Sequence, residues 1–184
     1  MKRYNENQIV KDLGVVAVIG GGNVAMDSAR TAVKMGAEEV KILYRRDKEH
    51  MPAREVELND CIKDGIKIKY LTKVISANSQ NENVKSLNCI KTEIIDKKAI
   101  EIENSEFIEM ADTVIFAIGL KPDMELLKSE GIKLNDWGYI EIDQDGQTNI
   151  QGIFAGGDNT ENKATVCRAI AAGKKAALGI IKSI

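Results

Sequence analysis

Apolar runs and helical patterns alternate in the first part of the chain. Val15–Gly20 is a short, mostly β-branched apolar run that ends in glycine, which is typical of a strand buried on both faces of a parallel sheet. Asn23–Gly36 follows with apolar residues at helical spacing, and Gly36 stands where a helix cap is expected. A second buried strand is predicted over Val40–Tyr44. Together these segments predict a βαβ crossover of about 30 residues.

Similar patterns continue along the rest of the chain. A helix is predicted over Arg54–Lys63, ended by Gly65, and then a strand over Ile66–Val74. The alternating segments Val84–Ile95 and Ala99–Met110 predict a hairpin or small antiparallel layer. The remaining predicted elements are a buried strand over Thr113–Ile118, a short helix over Met124–Ser129, a strand over Gly152–Ala155 and a helix from about Ala164 to Ile181. The predicted fold class is α/β: a Rossmann-like parallel sheet with a small antiparallel β layer and a C-terminal strand–helix segment.

The composition excludes several classes of protein. There are 26 basic and 28 acidic side chains, which leave a net charge of −2, whereas a general nucleic-acid binder carries a basic excess. No apolar stretch approaches the ~20 residues that span a bilayer, and the polar start of the chain does not resemble a signal peptide. The three cysteines are far apart, which excludes a disulfide scaffold and a cysteine-bound metal cluster within this chain. We expect a soluble, cytoplasmic protein.

The turn between the first predicted strand and helix carries a dinucleotide-binding pattern. Residues 20–25 fit G-x-G-x-x-A. Gly20 permits a tight turn, Gly22 lets the backbone approach a pyrophosphate, and Ala25 is small enough for close packing of helix and strand. The start of the helix adds unpaired N–H groups and a partial positive charge. Because the pattern stands between a strand and a helix, it predicts a phosphate site; the alternative is a glycine-rich turn that binds nothing.

The residues that follow the second predicted strand favour one nicotinamide cofactor over the other. An NAD-binding protein usually places Asp or Glu there to accept bonds from the ribose 2′-hydroxyl. This sequence has Arg45 and Arg46 instead. Guanidinium groups pair with a 2′-phosphate through charge-assisted bonds, which an acidic residue would repel. The pattern therefore favours NADP(H), with a solvated basic turn as the alternative.

Three further features receive a structural interpretation. His50 is the only histidine and lies in a charged stretch, where a surface position is the expected one. Cys167 lies on the last predicted helix without a second cysteine nearby, so buried packing is expected. Asp143–Gly146 resembles the opening of a calcium loop, but the twelfth position is Phe154 rather than a bidentate acid, and a turn is predicted.

Three ordered motifs together resemble one family. The segment VVAVIGGGNVAMDSARTAVKMGAEEVKILYRRDKEHMPAREVEL is similar to the NADPH-binding segment of the glutamate synthase small (beta) subunit and related pyridine nucleotide–disulfide-oxidoreductase-like flavoproteins, including the flavin part of dihydropyrimidine dehydrogenase. TVIFAIGLKPD resembles the strand that leads back from that domain. TNIQGIFAGGDNTENKATVCRAIAAGKKAA resembles the second flavin-binding motif. The similarity extends from about Val15 to Ile180.

The resemblance implies hydride transfer from NADPH to FAD, with electrons passed on through iron–sulfur clusters to a partner subunit or domain. It assigns the NADPH pyrophosphate to the glycine turn and the 2′-phosphate to the two arginines, with Arg54 of the MPAR motif adding charge. It places Asp158 at the flavin ribityl–pyrophosphate region and Ala164 and Thr165 near the isoalloxazine edge. The whole cofactor-binding set is Gly20, Gly22, Asn23, Val24, Ala25, Arg45, Arg46, Arg54, Gly119, Gly157, Asp158, Ala164 and Thr165. No catalytic side chain and no metal ligand are identified.

The resemblance also predicts the domain organisation. Residues 1–118 are the expected NADPH-binding domain, and residues 119–184 the C-terminal return segment of an incomplete FAD-binding domain. The family's cysteine-rich segment and its first G-x-G-x-x-G unit have no counterpart in this sequence. We therefore expect a fragment that binds NADP(H), that binds FAD only if the missing flavin half is supplied, and that is inactive alone. A non-catalytic NADP(H)-binding module is the alternative.

The last predicted helix indicates a protein partner. Its apolar face consists of Val166, Ile170, Ala177, Leu178 and Ile181. A large exposed apolar patch usually marks an interface. We expect this face to fold back on the NADPH-binding domain or, preferably, to form a homodimer, and the resemblance adds a larger synthase subunit as a possible partner. Neither nucleic acid nor a membrane is expected to bind.

Overall fold

The computed structural model describes residues 13–119, 124–161 and 165–184. The chain divides into two compact units, Met1–Ile118 and Gly119–Ile184. The described residues form, in chain order, β1 (Val15–Ile19), α1 (Asn23–Lys34), β2 (Glu39–Leu43), α2 (Glu55–Lys63), β3 (Lys67–Lys69), β4 (Thr72–Gln80), β5 (Asn83–Ile95), β6 (Lys98–Met110), β7 (Thr113–Phe116), α3 (Met124–Ser129) and α4 (Val166–Ser183). None of the helices described is long and apolar enough to cross a bilayer.

A four-stranded parallel sheet is the centre of the first unit. Its strand order is β3-β2-β1-β7. Ile19 pairs with Leu43 on one side and with Phe116 on the other, so these strands end at one edge of the sheet. The predicted Rossmann-like α/β fold is confirmed. Ligands of such sheets bind at the carboxyl ends of the strands, which makes this edge the place to look for a site.

Helix α1 packs closely on this sheet because its inner face is made of small residues. Ala25, Ala29 and Ala32 are fully buried and contact the apolar side chains of β1 and β2. The helix ends one residue before the predicted cap: Met35 is the C-cap, and Gly36 follows with φ +84°. The close contact brings the first turn of the helix to the carboxyl edge of the sheet.

A three-stranded antiparallel sheet covers the other face of the parallel sheet. Its order is β4-β5-β6, and the β5–β6 turn places Asp96 and Lys97 at positive φ, as the tightest hairpins require. Leu87 and Cys89 of β5 pack against Ala17 of β1 in a second apolar cluster. Burial raises the pKa of the Cys89 thiol to about 11. The predicted antiparallel layer is confirmed, with β4 as an additional strand.

The predicted single strand Ile66–Val74 is wrong. The chain leaves the parallel sheet after Lys69 and enters the antiparallel sheet at Thr72, and Leu71 between them has φ +51°. The Leu71 N–H donates to the Arg46 carbonyl at 3.0 Å, and the Thr72 N–H donates to the Tyr44 carbonyl at 2.9 Å. These bonds to the loop after β2 make the chain switch sheets.

A buried ionic cluster links the two sheets. Lys41 of β2 is 5% exposed, and its Nζ donates to Glu109 Oε2 at 3.1 Å, while Lys69 binds the other carboxylate oxygen. Burial alone would raise the pKa of Glu109, but the bonds from both lysines outweigh it and hold the pKa below its usual value. The alternating patterns of the sequence do not reveal this cluster, because charged residues in a strand ordinarily indicate a solvent face.

The second unit has little regular structure before its long final helix. Its described residues contain two isolated bridges, Leu134–Ile140 and Gln147–Phe154. The predicted strand Gly152–Ala155 is therefore wrong, since only Phe154 makes a bridge. The prediction of a buried Cys167 is also wrong, because this thiol is exposed on the first turn of α4.

The acidic stretch of the second unit forms a turn, as predicted. Asp143 Oδ1 accepts bonds from the N–H groups of Asp145 at 2.8 Å and Gln147 at 2.9 Å. These backbone bonds lower the pKa of the Asp143 carboxyl. The turn packs beneath α4, where the carbonyl oxygen of Asp145 would lie 2.2 Å from a Cβ at Gly179. Gly179 is thus required for this close approach.

Candidate nucleotide-binding site

The glycine turn begins at the end of β1 with a position that only glycine can occupy. Gly20 has φ +144°, and a Cβ there would lie 2.3 Å from the Ala117 carbonyl oxygen. Its N–H donates to the Leu43 carbonyl at 3.2 Å. The end of β1 is therefore held tightly between the ends of its two neighbouring strands.

The second glycine of the turn makes room for an aromatic ring. A Cβ at Gly21 would lie 2.4 Å from Cε2 of Tyr44, the residue directly after β2. The Tyr44 hydroxyl donates to the His50 carbonyl at 2.6 Å. Burial raises the pKa of Tyr44, while the positive charges of Arg46 and Arg45 oppose that rise. Arg45 and Arg46 follow Tyr44 directly in the chain, at the edge of the glycine turn.

The third glycine opens the turn toward solvent. Gly22 is the N-cap of α1, no side chain caps the helix there, and a Cβ at Gly22 would have no heavy atom within 4 Å. The first N–H groups of any α-helix lack partners within the helix and form a natural anion site. Asn23 and Val24 are exposed at this end, whereas Ala25 is buried against the sheet, as predicted.

The MPAR segment is attached to the glycine turn. The Ala53 N–H donates to the Gly21 carbonyl at 3.0 Å, and the Arg54 N–H donates to Asn23 Oδ1 at 3.1 Å. The Arg54 side chain is 70% exposed and pairs with Glu57 at 2.6 Å. The contact between Asn23 and Arg54 joins two predicted site residues, and no pattern in the sequence indicates it.

The two arginines follow β2 on a backbone that the second sheet holds in place. Arg45 is exposed and Arg46 is half-buried. Thr92 Oγ1 donates to the Arg45 carbonyl at 2.7 Å, and the Leu71 N–H donates to the Arg46 carbonyl. Because the ends of β1 and β2 are neighbours, the guanidinium groups and the open side of the glycine turn belong to one edge of the sheet.

His50 is partly buried and paired, rather than a free surface histidine. Asp47 Oδ1 accepts from the His50 N–H at 2.9 Å and lies 2.7 Å from the ring Nδ1. The hydrogen bond from the His50 ring is the main cause that lowers the pKa of Asp47. The two residues close the loop that begins with the arginines.

The second unit holds another group of predicted site residues. Gly157 has φ +88°, and its carbonyl accepts bonds from the Thr160 N–H at 3.0 Å and hydroxyl at 2.9 Å. Asp158 is exposed. Thr165 is the N-cap of α4, and its hydroxyl oxygen accepts from the Arg168 N–H at 3.4 Å. Gly157 lies against the first part of α4, since a Cβ there would lie 3.8 Å from the Cβ of Ala169.

The remaining predicted site residues lie elsewhere. Gly119, with φ +87°, is exposed just after β7, and Ala164 lies outside the described residues. The predicted NADPH-contacting residues thus lie in the first unit, and the described flavin-contacting ones, Gly157, Asp158 and Thr165, lie in the second. Their binding roles stay predictions. Tyr44 also lies at this edge, and the glycine and arginine motifs do not indicate it, although an aromatic residue directly after the second strand is a usable signal.

Comparison with known proteins identifies the family. The pyridine nucleotide-disulphide oxidoreductase family matches residues 3–175, and the chain belongs to it. The chain is 36% identical over 178 residues to the small chain of NADPH glutamate synthase from Escherichia coli K12, covering 90% of this chain and 38% of that one. It is 35% identical over 173 residues to the beta subunit of NADP(+)-dependent formate dehydrogenase from Moorella thermoacetica, covering 90% and 24%.

A solved structure confirms the fold at the level of coordinates. Thioredoxin reductase from T. acidophilum matches with a TM-score of 0.74 at 26% identity, covering 91% of this chain and 52% of that one. The chain therefore spans between 24% and 52% of the length of these three relatives. The resemblance stated from the sequence motifs is confirmed.

Proposed function

We propose that the first unit binds NADPH, with the pyrophosphate at the glycine turn and the 2′-phosphate at Arg45 and Arg46. The observation that carries the proposal is the position of these two cations, one strand away from a glycine turn whose open side faces the same edge. The bond from the Gly20 N–H to the Leu43 carbonyl joins the two strand ends directly. The NADP-specific names of two relatives support the same choice of cofactor.

The residues of this edge fit a dinucleotide. The space beside Gly22 is open, because a Cβ built there would have no heavy atom within 4 Å. The first backbone N–H groups of α1 are hydrogen-bond donors for a phosphate, and no side chain caps them. The guanidinium groups offer paired donors to a phosphate dianion, and the loop after β2 places no acidic residue before them. When bound, the nicotinamide supplies hydride chemistry, and the chain's own residues bind and orient the dinucleotide.

Calorimetric titration of the chain with NADPH and NADH tests the proposal. NADPH should bind at least tenfold more tightly, because a charge-assisted bond contributes about 1.5–3 kcal/mol. Added salt should weaken the preference, since the contact is ionic. The variant Arg45→Ala/Arg46→Ala should lose most of it, whereas Lys34→Ala/Lys85→Ala, which removes two exposed cations elsewhere, should keep it. Equal affinities in the native chain would refute the assignment.

For the complete enzyme, we propose hydride transfer from NADPH to FAD in a flavoprotein of the glutamate synthase small-subunit type. The Gly156–Asp158 turn and the start of α4 would contribute one part of the flavin site. The chain alone should purify colourless and should not drive reduction of a dye by NADPH. A yellow preparation with stoichiometric FAD would overturn this expectation, and NADPH binding without any flavin-linked activity in a larger assembly would favour a binding module.

We further propose that another protein surface covers the apolar face of α4. Val166, Leu178 and Ile181 are 77%, 60% and 69% exposed. Burying such side chains in an interface stabilises the complex by roughly 25 cal/mol per Å² of apolar surface removed from water. A second copy of the chain is the partner we favour, and a larger synthase subunit is the other candidate. The subunit names of the relatives support an assembly of this kind.

A further inference from the structure

The loop that carries the two arginines also carries a carboxylate. Asp47 follows Arg46 directly, and its pKa lies below the usual value, so it is ionised at neutral pH. A negative charge beside a phosphate site opposes a phosphate dianion. An acidic residue in this part of the fold is also what favours NAD(H). Phosphate binding by this loop therefore requires a contact that keeps the negative charge of Asp47 away from the phosphate held by the two arginines.

The contact between Asp47 and His50 meets this requirement. Asp47 Oδ1 accepts a hydrogen bond from the backbone N–H of His50 at 2.9 Å and lies 2.7 Å from the ring Nδ1 of the same residue. An ionised carboxylate only accepts, so the ring carries its proton on Nδ1 in this contact. The two side chains are about two thirds buried, with 34% and 29% exposed. The carboxylate is thus turned into the loop and held there.

The backbone of His50 is fixed independently of its ring. Its carbonyl accepts the 2.6 Å bond from the Tyr44 hydroxyl, and the Tyr44 ring lies on Gly21. The Met51 N–H donates to the Lys48 carbonyl at 3.2 Å within the same turn. Replacing the imidazole therefore removes one donor to Asp47 and leaves the main-chain bonds of the loop in place.

We propose that His50 is a positioning residue for cofactor choice: its ring holds the Asp47 carboxylate inside the loop and away from a 2′-phosphate bound by Arg45 and Arg46. This inference rests on the proposed NADPH site. Its signature is selective. Loss of the ring leaves Asp47 with the bond from the His50 N–H but without the ring contact that holds the orientation of its carboxylate. NADPH binding should then weaken, whereas NADH binding should stay unchanged or tighten, because NADH has a 2′-hydroxyl that can donate to a carboxylate and no 2′-phosphate for it to repel.

Calorimetric titration of four chains with both nucleotides provides the test. His50→Ala should lower the preference for NADPH about fivefold, the upper range for one solvent-screened interaction, here between the Asp47 carboxylate and the 2′-phosphate. His50→Asn, whose amide nitrogen replaces Nδ1 as donor, should keep the preference within about twofold of the native value. Asp47→Asn/His50→Ala should restore it, because the charge to be restrained is gone. His50→Leu, which has no hydrogen-bond donor in its side chain, repeats the loss if the alanine variant is unstable.

The outcomes separate this inference from the proposed function. A native chain without preference for NADPH refutes the proposed site itself. A native chain that prefers NADPH, with an unchanged preference in His50→Ala, refutes only the role of His50. An equal loss of affinity for both nucleotides, or a loss that Asp47→Asn does not repair, shows a merely structural histidine and also overturns the inference.

Discussion

The long helices of the two units are both amphipathic, yet they are buried to very different extents. Helix α1 has 12 residues, five of them buried, and its small inner face lies directly on the parallel sheet. Helix α4 has 18 residues, of which only Ala176 and Gly179 are buried. The described part of the second unit contains no sheet beneath α4, only two isolated bridges. An apolar stripe therefore identifies a helix face that needs a partner, while the partner itself must come from the rest of the fold.

The largest expected effect is in the glycine turn. Gly20→Ala should destabilise the first unit by about 3 kcal/mol or more, because the new Cβ meets a backbone carbonyl and the backbone has positive φ. Gly173→Ala in α4 is the matched control, since a Cβ there meets nothing within 4 Å, and it should stabilise by about 0.5–1 kcal/mol. Hydrogen exchange resolved by peptide measures each unit separately. Similar protection in both variants would contradict the contrast between the units.

The ionic cluster between the two sheets should make the first unit sensitive to acid. Glu109→Gln should lower the free energy of unfolding at pH 7 by about 2 kcal/mol, through loss of charge-assisted bonds from Lys41 and Lys69. Because the pKa of folded Glu109 is lowered, its contribution is present above about pH 4 and is lost as the pH falls through the folded pKa.

Urea unfolding at several pH values measures this dependence. The free energies of unfolding of the native chain and the Glu109→Gln variant should differ at neutral pH and converge in acid, where protonation makes the native carboxyl uncharged like the amide of the variant. Lys97→Ala, which removes a charge from the exposed hairpin turn, serves as control. It should change the free energy of unfolding by the same amount at neutral and at acidic pH. A difference between native and variant that stays constant with pH would contradict the role given to Glu109.

The smallest effect concerns the exposed face of α4. In a monomer, Leu178→Ala should change stability by less than about 0.5 kcal/mol, whereas Ile42→Ala in the buried sheet should cost about 2–5 kcal/mol. If a second copy covers the face, light scattering at micromolar concentration should show a dimer, and Leu178→Lys should dissociate it. A monomeric native chain would remove the second copy as the partner and leave a different protein surface to be found.

Elements such as β1 and α1 could be predicted because each carries its own period and its own end signals. The run from Val15 to Gly20 and the helix that ends before Gly36 contain all the information that their local structure requires. The single strand predicted over Ile66–Val74 failed for a different reason. Its alternation continues through Tyr70, but the switch between sheets depends on carbonyl groups of a loop about 25 residues earlier in the chain.

The candidate site shows the same limit. The glycines and arginines could be identified from spacing, because the dinucleotide-binding pattern is defined by residue types at fixed positions after the strands. The contacts that orient them could not, since the Asn23–Arg54, Tyr44–Gly21 and Asp47–His50 contacts depend on how the loop folds back in space. The predicted strand at Gly152–Ala155 and the buried Cys167 failed because both assume neighbours that the described residues of the second unit do not provide.

The bonds to the carbonyl groups of Arg45 and Arg46 have an evolutionary consequence. Donors from outside the loop occupy both groups: Thr92 of β5 and Leu71, which lies between the two sheets. This backbone is therefore held whatever side chains it carries. On the proposed assignment, a descendant of this protein can exchange the arginines for an acidic residue and draw on a different pool of reducing equivalents without rebuilding its fold. On the same assignment, the scaffold and the choice of electron carrier can change independently, because the side chains that favour NADPH are not the groups that hold the loop.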